Sequence, residues 1–173
     1  MRFLLDGMLG RHTRWLRMIG CDAWYDKDGL DAVLLQRAKQ DSLILLTCDV
    51  QLYRAAIARN IECFLVEGTD EPERLANLAA RFNLKLNIDP ERSRCPVCGS
   101  CIKPVGKEEI ASRVPPATFK IYQSFWICTS ASCAKIYWQG SHWKRIEETL
   151  ENARTILERR QNQLRERNAL SVP

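Results

Sequence analysis

Apolar residues in the first half of the chain switch repeatedly between two spacings. Short, mainly apolar runs, Arg2 to Leu5, Ala23 to Tyr25, Leu43 to Leu46, which is apolar throughout, and Ile61 to Val66, alternate with segments whose apolar positions recur every three or four residues. A continuous apolar run suits a strand buried on both faces, and the wider spacing is that of an amphipathic helix. The predicted helices are Gly10 to Ile19, stopped by Gly20, then the segment holding Leu30, Val33, Leu34 and Ala38, which Asp28 or Asp31 can cap. Val50 to Arg59 follows, and then Pro72 to Phe82, with its proline in the first turn where no backbone N–H is needed. Regular alternation of strand and helix predicts an α/β fold, a parallel sheet with helices on both faces.

The pattern changes after Phe82. Leu84 to Arg92, containing Asp89-Pro90, reads as a linker, and a stretch rich in cysteine and aromatic residues comes next. From about Ser141 toward Arg167, the positions Trp143, Ile146, Leu150, Ala153, Leu157 and Leu164 form the stripe of one long helix, with Ser141 as its cap and His142 in its first turn. Beyond Leu157 the chain is strongly polar, and fraying is expected near Ser171. The expected organisation is therefore an α/β domain over residues 1–88, a cysteine module over 93–142 and a C-terminal amphipathic helix over 143–168.

Four of the eight cysteines stand as two pairs, Cys95 with Cys98 and Cys128 with Cys133, with 29 residues between the pairs. Each pair can put two thiolates on one tight knuckle, and two knuckles supply the tetrahedral sulfur cage that Zn²⁺ prefers. Cys101 stands close enough to compete with Cys98, but Gly99 suits the turn just past a knuckle and favours Cys98. Cys21, Cys48 and Cys63 lie singly among apolar residues and read as core side chains. The opening Met-Arg-Phe-Leu-Leu-Asp offers no long apolar stretch for a signal peptide, and no run approaches a membrane span. The expectation is a cytoplasmic protein without a membrane partner, in which cysteines ligate metal or pack rather than form disulfides. Nothing in the sequence sets an oligomeric state.

Charge divides unevenly along the chain. Residues 1–92 carry 13 Lys and Arg against 14 Asp and Glu, a net of −1, while residues 93–173 carry 13 against 7, a net of +6. A basic surface attracts phosphodiester backbones and releases their counterions, so nucleic acid is the natural partner; a merely solvated basic tail is the plainer alternative.

Carboxylates fall where a parallel sheet collects ligands, at the carboxyl ends of its strands. Asp6 follows the first run, Asp49 follows Leu43 to Thr47, and Glu67 and Asp70 follow Ile61 to Val66, while Asp28 and Asp31 open a helix on the same edge. Acids packed together repel one another unless a hard cation takes up the charge, which points to Mg²⁺ or Mn²⁺. Asp6 and Asp49 are the expected direct ligands, with Asp31 third, directly or through water. Asp70 is a weaker candidate to orient a nucleophilic water, Glu67 an alternative to it, and Asp28 weaker still. The competing role of each strand-end Asp is to cap the following helix.

The residues carrying these features also resemble a known family. Phe3-Leu4-Leu5-Asp6-Gly7-Met8-Leu9-Gly10-Arg11, continuing to Trp15-Leu16-Arg17-Met18-Ile19-Gly20, is similar to the start of the Mut-seven carboxy-terminal ribonuclease family. Asp31 before its helix, Leu46-Thr47-Cys48-Asp49, Arg94-Cys95-Pro96-Val97-Cys98 and Ile136-Tyr137-Trp138-Gln139-Gly140-Ser141-His142 match in order, over about residues 1–145. The resemblance implies a PIN-like nuclease sheet fused to a zinc ribbon, with a metal-dependent ribonuclease site at Asp6, Asp31 and Asp49. The loop from Cys128 to Cys133 is wider than the family's pattern, and His12-Thr13 departs from it.

Arg11, Arg14 and Arg17, at three-residue steps on the first helix, are expected to hold substrate phosphates, against the alternative of a solvated helix face. Tyr122, Phe125, Trp126, Tyr137 and Trp138 can pack a small module or stack on bases of single-stranded RNA. Two functions follow. One is a Mg²⁺- or Mn²⁺-dependent endoribonuclease acting on single-stranded RNA, and the other is a non-catalytic zinc-ribbon adaptor that binds RNA and associates with tRNA or ribosomes. A phosphatase of the haloacid type is disfavoured, because Gly7-Met8 follows Asp6 where that chemistry needs a second Asp two residues on.

Overall fold

A computed structural model describes residues 1–170, without the side chains of Leu164 and of residues 167–170. The expected stripe position Leu164 and the expected fraying near Ser171 lie outside the described residues. The chain divides into two compact units, one formed by residues 1–65 with 88–143, the other by residues 66–87 with 144 onward.

The first unit opens with four short strands, β1 (Arg2–Leu5), β2 (Asp22–Tyr25), β3 (Ile44–Thr47) and β4 (Cys63–Leu65). They form a parallel sheet in the order β2-β1-β3-β4, with Leu4 beside Trp24 on one side and Leu45 on the other. Phe3, Leu4, Leu5, Leu45 and Leu46 are fully buried, as the continuous apolar runs predict for strands covered on both faces. Between the strands run α1 (Gly10–Met18), α2 (Asp31–Gln40) and α3 (Val50–Ile57). The chain steps from β1 to β2 in one direction and returns over β1 to reach β3. Right-handed crossovers then place α1 on one face and α2 with α3 on the other. Leu34, Leu35 and Ala38 of α2 and Leu52 and Ala56 of α3 accordingly share a core with Leu4 and Leu45. The strand order reverses between β1 and β3, which is where such sheets bind ligands.

Local chemistry sets the element ends. Gly20 ends the first helical segment with a φ of +93°, open to a residue without a Cβ, and its N–H donates to the Arg17 carbonyl. The start of α2 differs from expectation: Leu30 occupies the cap position without a side-chain hydrogen bond, and Asp31 is the first helical residue. A carboxylate there still benefits from the positive end of the helix dipole.

The same unit includes a three-stranded antiparallel sheet, β5 (Ile102–Val105), β6 (Phe125–Cys128) and β7 (Ile136–Tyr137), in that order. Between β5 and β6 lie a 3-10 turn at Glu108–Ile110 and the short α4 (Pro116–Ile121). Ile110, Val114 and Phe125 form a small core, against which Phe119, Tyr122 and Trp138 pack, and the Phe125 and Trp138 rings meet with centroids 6.3 Å apart. Most of the aromatic content that could have stacked on bases is thus used to build this module.

The second unit pairs α5 (Glu71–Phe82) with α6 (Trp143–Leu170), which begins one residue after His142 rather than at Ser141. Asp70 caps α5 by accepting from the Glu73 N–H at 2.8 Å, while the Glu73 carboxylate reaches back to the N–H of Thr69, the residue before the cap, at 2.9 Å. Leu75, Leu78, Ala79 and Phe82 of α5 are buried, as are Leu150 and Ala153 of the stripe expected on α6. Further along α6, Arg160 meets Glu73 at 2.8 Å and donates to Asn77, so the polar end of the helix is held within the unit as far as this turn.

Candidate active site and cysteine centre

Asp6 stands directly after β1 and Asp49 two residues after β3, and a single hydroxyl links them. The Thr47 hydroxyl donates to Asp6 Oδ2 and accepts from the Asp49 N–H at 2.8 Å. Asp6 Oδ1 accepts from the Met8 N–H at 2.9 Å, and Asp49 Oδ1 accepts from Gln51 and Leu52 N–H at 2.6 and 3.2 Å. Both acids therefore cap the element that follows, the competing role considered for them. Capping does not exhaust a carboxylate, which offers about four lone-pair positions. Asp6 is only 4% exposed and Thr47 is fully buried, so both oxygens are held in a fixed geometry at the point where the strand order reverses.

Asp31 is exposed on the first turn of α2. Asp28 is exposed in the preceding loop. Asp70 and Glu67 belong to the second unit, where Asp70 caps α5 and the Glu67 carbonyl accepts from Asn77. Among the described residues no three carboxylates lie within 4.8 Å of one another. Asp26 escaped the sequence reading, although it follows β2 as Asp6 follows β1, and its N–H donates to the Leu5 carbonyl at 3.2 Å. Its carboxylate rests over Gly29, where a Cβ would come within 2.6 Å of Cγ. Thr47 was also missed; its signal is a hydroxyl closing an otherwise aliphatic run, Ile44-Leu45-Leu46-Thr47. Replacing it with valine keeps the shape and removes the hydroxyl from a fully buried position. Thr47→Val is expected to cost about 1–3 kcal/mol, read as a fall in Tm of about 2–12 °C, and to lower any cleavage that depends on Asp6.

The three arginines separate. Arg11 and Arg14 are exposed on α1, whereas Arg17 is buried. Arg17 Nε donates to the Ala23 carbonyl at 2.8 Å, and its Nη1 donates to the carbonyls of Pro96 and Val97 at 3.2 and 2.9 Å. Burial lowers its pKa, and the thiols of Cys98 and Cys95 pull it back up. Its guanidinium thus ties the loop between Cys95 and Cys98 to α1 and β2. Arg17→Met removes three charge-assisted bonds and leaves the Ala23 carbonyl and the partly buried Pro96 and Val97 carbonyls without that donor. A loss of about 3 kcal/mol, hence about 6–12 °C in Tm, is expected, together with faster loss of zinc to a chromogenic chelator.

That loop carries half of a sulfur cage. The Sγ atoms of Cys95, Cys98, Cys128 and Cys133 all lie within 4.8 Å of one another, with Cys95 to Cys133 at 3.7 Å and Cys98 to Cys128 at 3.4 Å. Four sulfurs at about 2.3 Å from a tetrahedral Zn²⁺ stand about 3.8 Å apart, so the quartet fits that ion. Gly99 follows the first knuckle with a φ of +82°, and Ala134 follows the second with +42°, taking the same left-handed position. Cys101 is exposed, pairs across a β-bridge with Arg94 and lies outside the quartet, so the second thiol that the first knuckle brings to it is that of Cys98. Burial pushes the Cys128 thiol up to about 12, while Cys98, against its own burial, is brought down to about 6 by hydrogen bonds with Ser100 and Cys128. Four such thiols cannot all ionise side by side without a cation among them. The Tyr137 hydroxyl lies 2.9 Å from Cys95 Sγ, and His142 is outside the quartet.

The molecule thus combines a parallel α/β sheet, with two strand-end acids linked through one hydroxyl, and a four-cysteine module that could bind zinc. The chain belongs to the Mut7-C RNAse domain family, whose model matches residues 1–150. Membership points to a ribonuclease-type function with RNA as the substrate, and the cysteine quartet could bind zinc. Neither curated proteins nor solved structures yield a match. Among the described residues no helix is long and apolar enough to cross a membrane.

Proposed function

We propose that the protein is a metal-dependent endoribonuclease that hydrolyses single-stranded RNA, with a PIN-like catalytic sheet and a structural zinc centre at Cys95, Cys98, Cys128 and Cys133. One observation carries the reading: the Asp6, Thr47 and Asp49 network fixes two carboxylates at the reversal point of the sheet. These are hard oxygen donors, and Mg²⁺ or Mn²⁺ is commonly held by one or two carboxylates while keeping several waters. Asp6 and Asp49 would hold the ion, and Asp31 would reach it directly or through water. Bound there, the ion supplies a more acidic water and neutralises charge on the phosphate.

The chain's own residues do the rest. Thr47 keeps the two carboxylates in register, and Asp6, being buried, cannot swing away to solvent. Arg11 and Arg14, exposed on the helix that begins four residues after Asp6, hold phosphates of the strand being cut. In the reaction water adds to phosphorus, the bond from phosphorus to the departing ribose oxygen breaks, and that oxygen takes a proton. The products are one phosphate end and one hydroxyl end. The experiment is incubation of the purified, zinc-loaded chain with a labelled single-stranded RNA and added Mn²⁺, beside Asp49→Asn. Internal cuts that vanish in the variant support the reading; cuts of equal rate in both proteins overturn it. Tight RNA binding without any cut favours the adaptor.

A further inference from the structure

The loop between Cys95 and Cys98 does more than hold metal. Pro96 and Val97 form one wall of a groove of about 450 Å³ whose other walls are the first turns of α1, with Arg11 and Arg14, and the end of β2 with the loop beyond it, with Tyr25 and Lys27. Its volume is within the usual range for a small-ligand site, about 300–1,000 Å³. No carboxylate is among the described residues that line it, while three exposed cations are. Such a groove takes an anion.

Its position ties it to the acids. The Tyr25 hydroxyl donates to the carbonyl of Gly7, next in sequence to Asp6, at 3.2 Å. Gly10 lets that ring lie against the start of α1, where a Cβ would come within 2.6 Å of the Tyr25 oxygen. The groove therefore opens beside the Asp6 end of the site. On the opposite wall the Val97 side chain is 50% exposed although its carbonyl is gripped by the buried Arg17. A half-exposed apolar side chain on a backbone held by the buried Arg17, beside a cationic wall, makes an amphipathic cleft. Phosphates on one side and a flat apolar face on the other is how single-stranded RNA is gripped.

We infer that this groove is a single-nucleotide subsite for the RNA strand next to the cleaved bond, with its phosphate on Arg11, Arg14 and Lys27 and its base against Val97, Pro96 and the Tyr25 ring. The inference deepens the proposed nuclease reading and rests on it for the identity of the ligand. It makes the cysteine module a wall of the substrate site, so that a folded knuckle is needed for RNA to bind.

The test measures binding separately from cleavage. Fluorescence anisotropy of a labelled ten-residue oligouridine is followed in buffer without added Mg²⁺ or Mn²⁺, on zinc-loaded protein. Lys27→Glu is expected to weaken binding about tenfold, because it puts a negative charge against a phosphate, Val97→Glu by about as much, because it replaces the apolar face under the base with a charge repelled by the polyanion, and Val97→Lys to tighten binding about threefold through added attraction to the strand. Bound zinc and Tm are measured on each variant; should Val97→Glu lose its metal, Val97→Lys and Lys27→Glu decide. Affinities within about twofold of the parent for the variants that keep zinc overturn the subsite. If the groove variants lose RNA while Asp49→Asn cuts as fast as the parent, the nuclease reading fails and the subsite stands. If cutting depends on Asp49 while the groove variants bind like the parent, the subsite falls alone.

Discussion

Asp6→Asn is expected to lower Mn²⁺-dependent cleavage of single-stranded RNA by about 10²–10³-fold, because a carboxylate that helps hold a catalytic ion is worth several kcal/mol to the transition state. The substitution keeps the size of the side chain. Asn can still accept from the Met8 N–H through its carbonyl oxygen, preserving the cap on the turn after β1. What changes is the contact with Thr47, whose hydroxyl now donates to Asp6 Oδ2. An amide nitrogen there would donate toward that hydroxyl and leave its proton to find another acceptor, at a cost of about 1 kcal/mol. A fall in Tm of about 2–4 °C is therefore expected beside a much larger fall in rate. The separation of the two readouts is the point of the experiment, since Thr47→Val couples them. Equal residual rates for parent and Asp6→Asn would trace the cutting to a contaminant and remove the enzyme from the account.

What could be read from the sequence was what short-range physics decides. The runs ending at Leu5 and Leu46 announce strands because three and four consecutive apolar residues suit burial on both faces, and the acids that follow them inherit their place from the sheet's polarity. The cysteine knuckles were legible for the same reason: each is a local turn, and Gly99 marks one of them. Arg17 shows where local spacing misleads. Three-residue steps fall short of a full helical turn by about 60° each, so Arg17 sits about 120° around the helix from Arg11. That rotation carries it off the exposed face and toward Pro96 and Val97, 79 and 80 residues away in sequence. Thr47 was hidden differently, because a threonine in a buried strand is ordinary until its partners are known, and both partners lie outside the strand. The pairing of Arg160 with Glu73 spans 87 residues and leaves no trace in either helix's own pattern.

Cys128→Ser is expected to abolish stoichiometric zinc and to lower the Tm of the first unit by about 10 °C or more, since binding of a structural zinc contributes directly to folding free energy. The antiparallel sheet has little else to rely on. Its core holds three buried side chains, Ile110, Val114 and Phe125, and modules this small usually need a metal or disulfides to offset the entropy of ordering the chain. Cys128 is buried on β6 opposite Ile102, so losing its bond to the metal is felt through the middle strand as well as in the knuckle. Serine leaves a harder, weaker ligand for zinc and a sulfur cage with one corner missing. Cys101→Ser is the matched control, an exposed thiol outside the quartet, and should leave both zinc and Tm as they are. Bound zinc is read by atomic absorption, and the loss of structure by faster proteolysis between residues 93 and 142. Full zinc in Cys128→Ser would show that the sulfurs were misassigned. Loss of zinc with no change in Tm would instead show that the three-stranded sheet stands by itself. Because Arg17 anchors the same knuckle through two carbonyls, zinc loss is also expected to loosen the groove beside Asp6 and weaken oligouridine binding, which couples the stability of the annex to the handling of RNA.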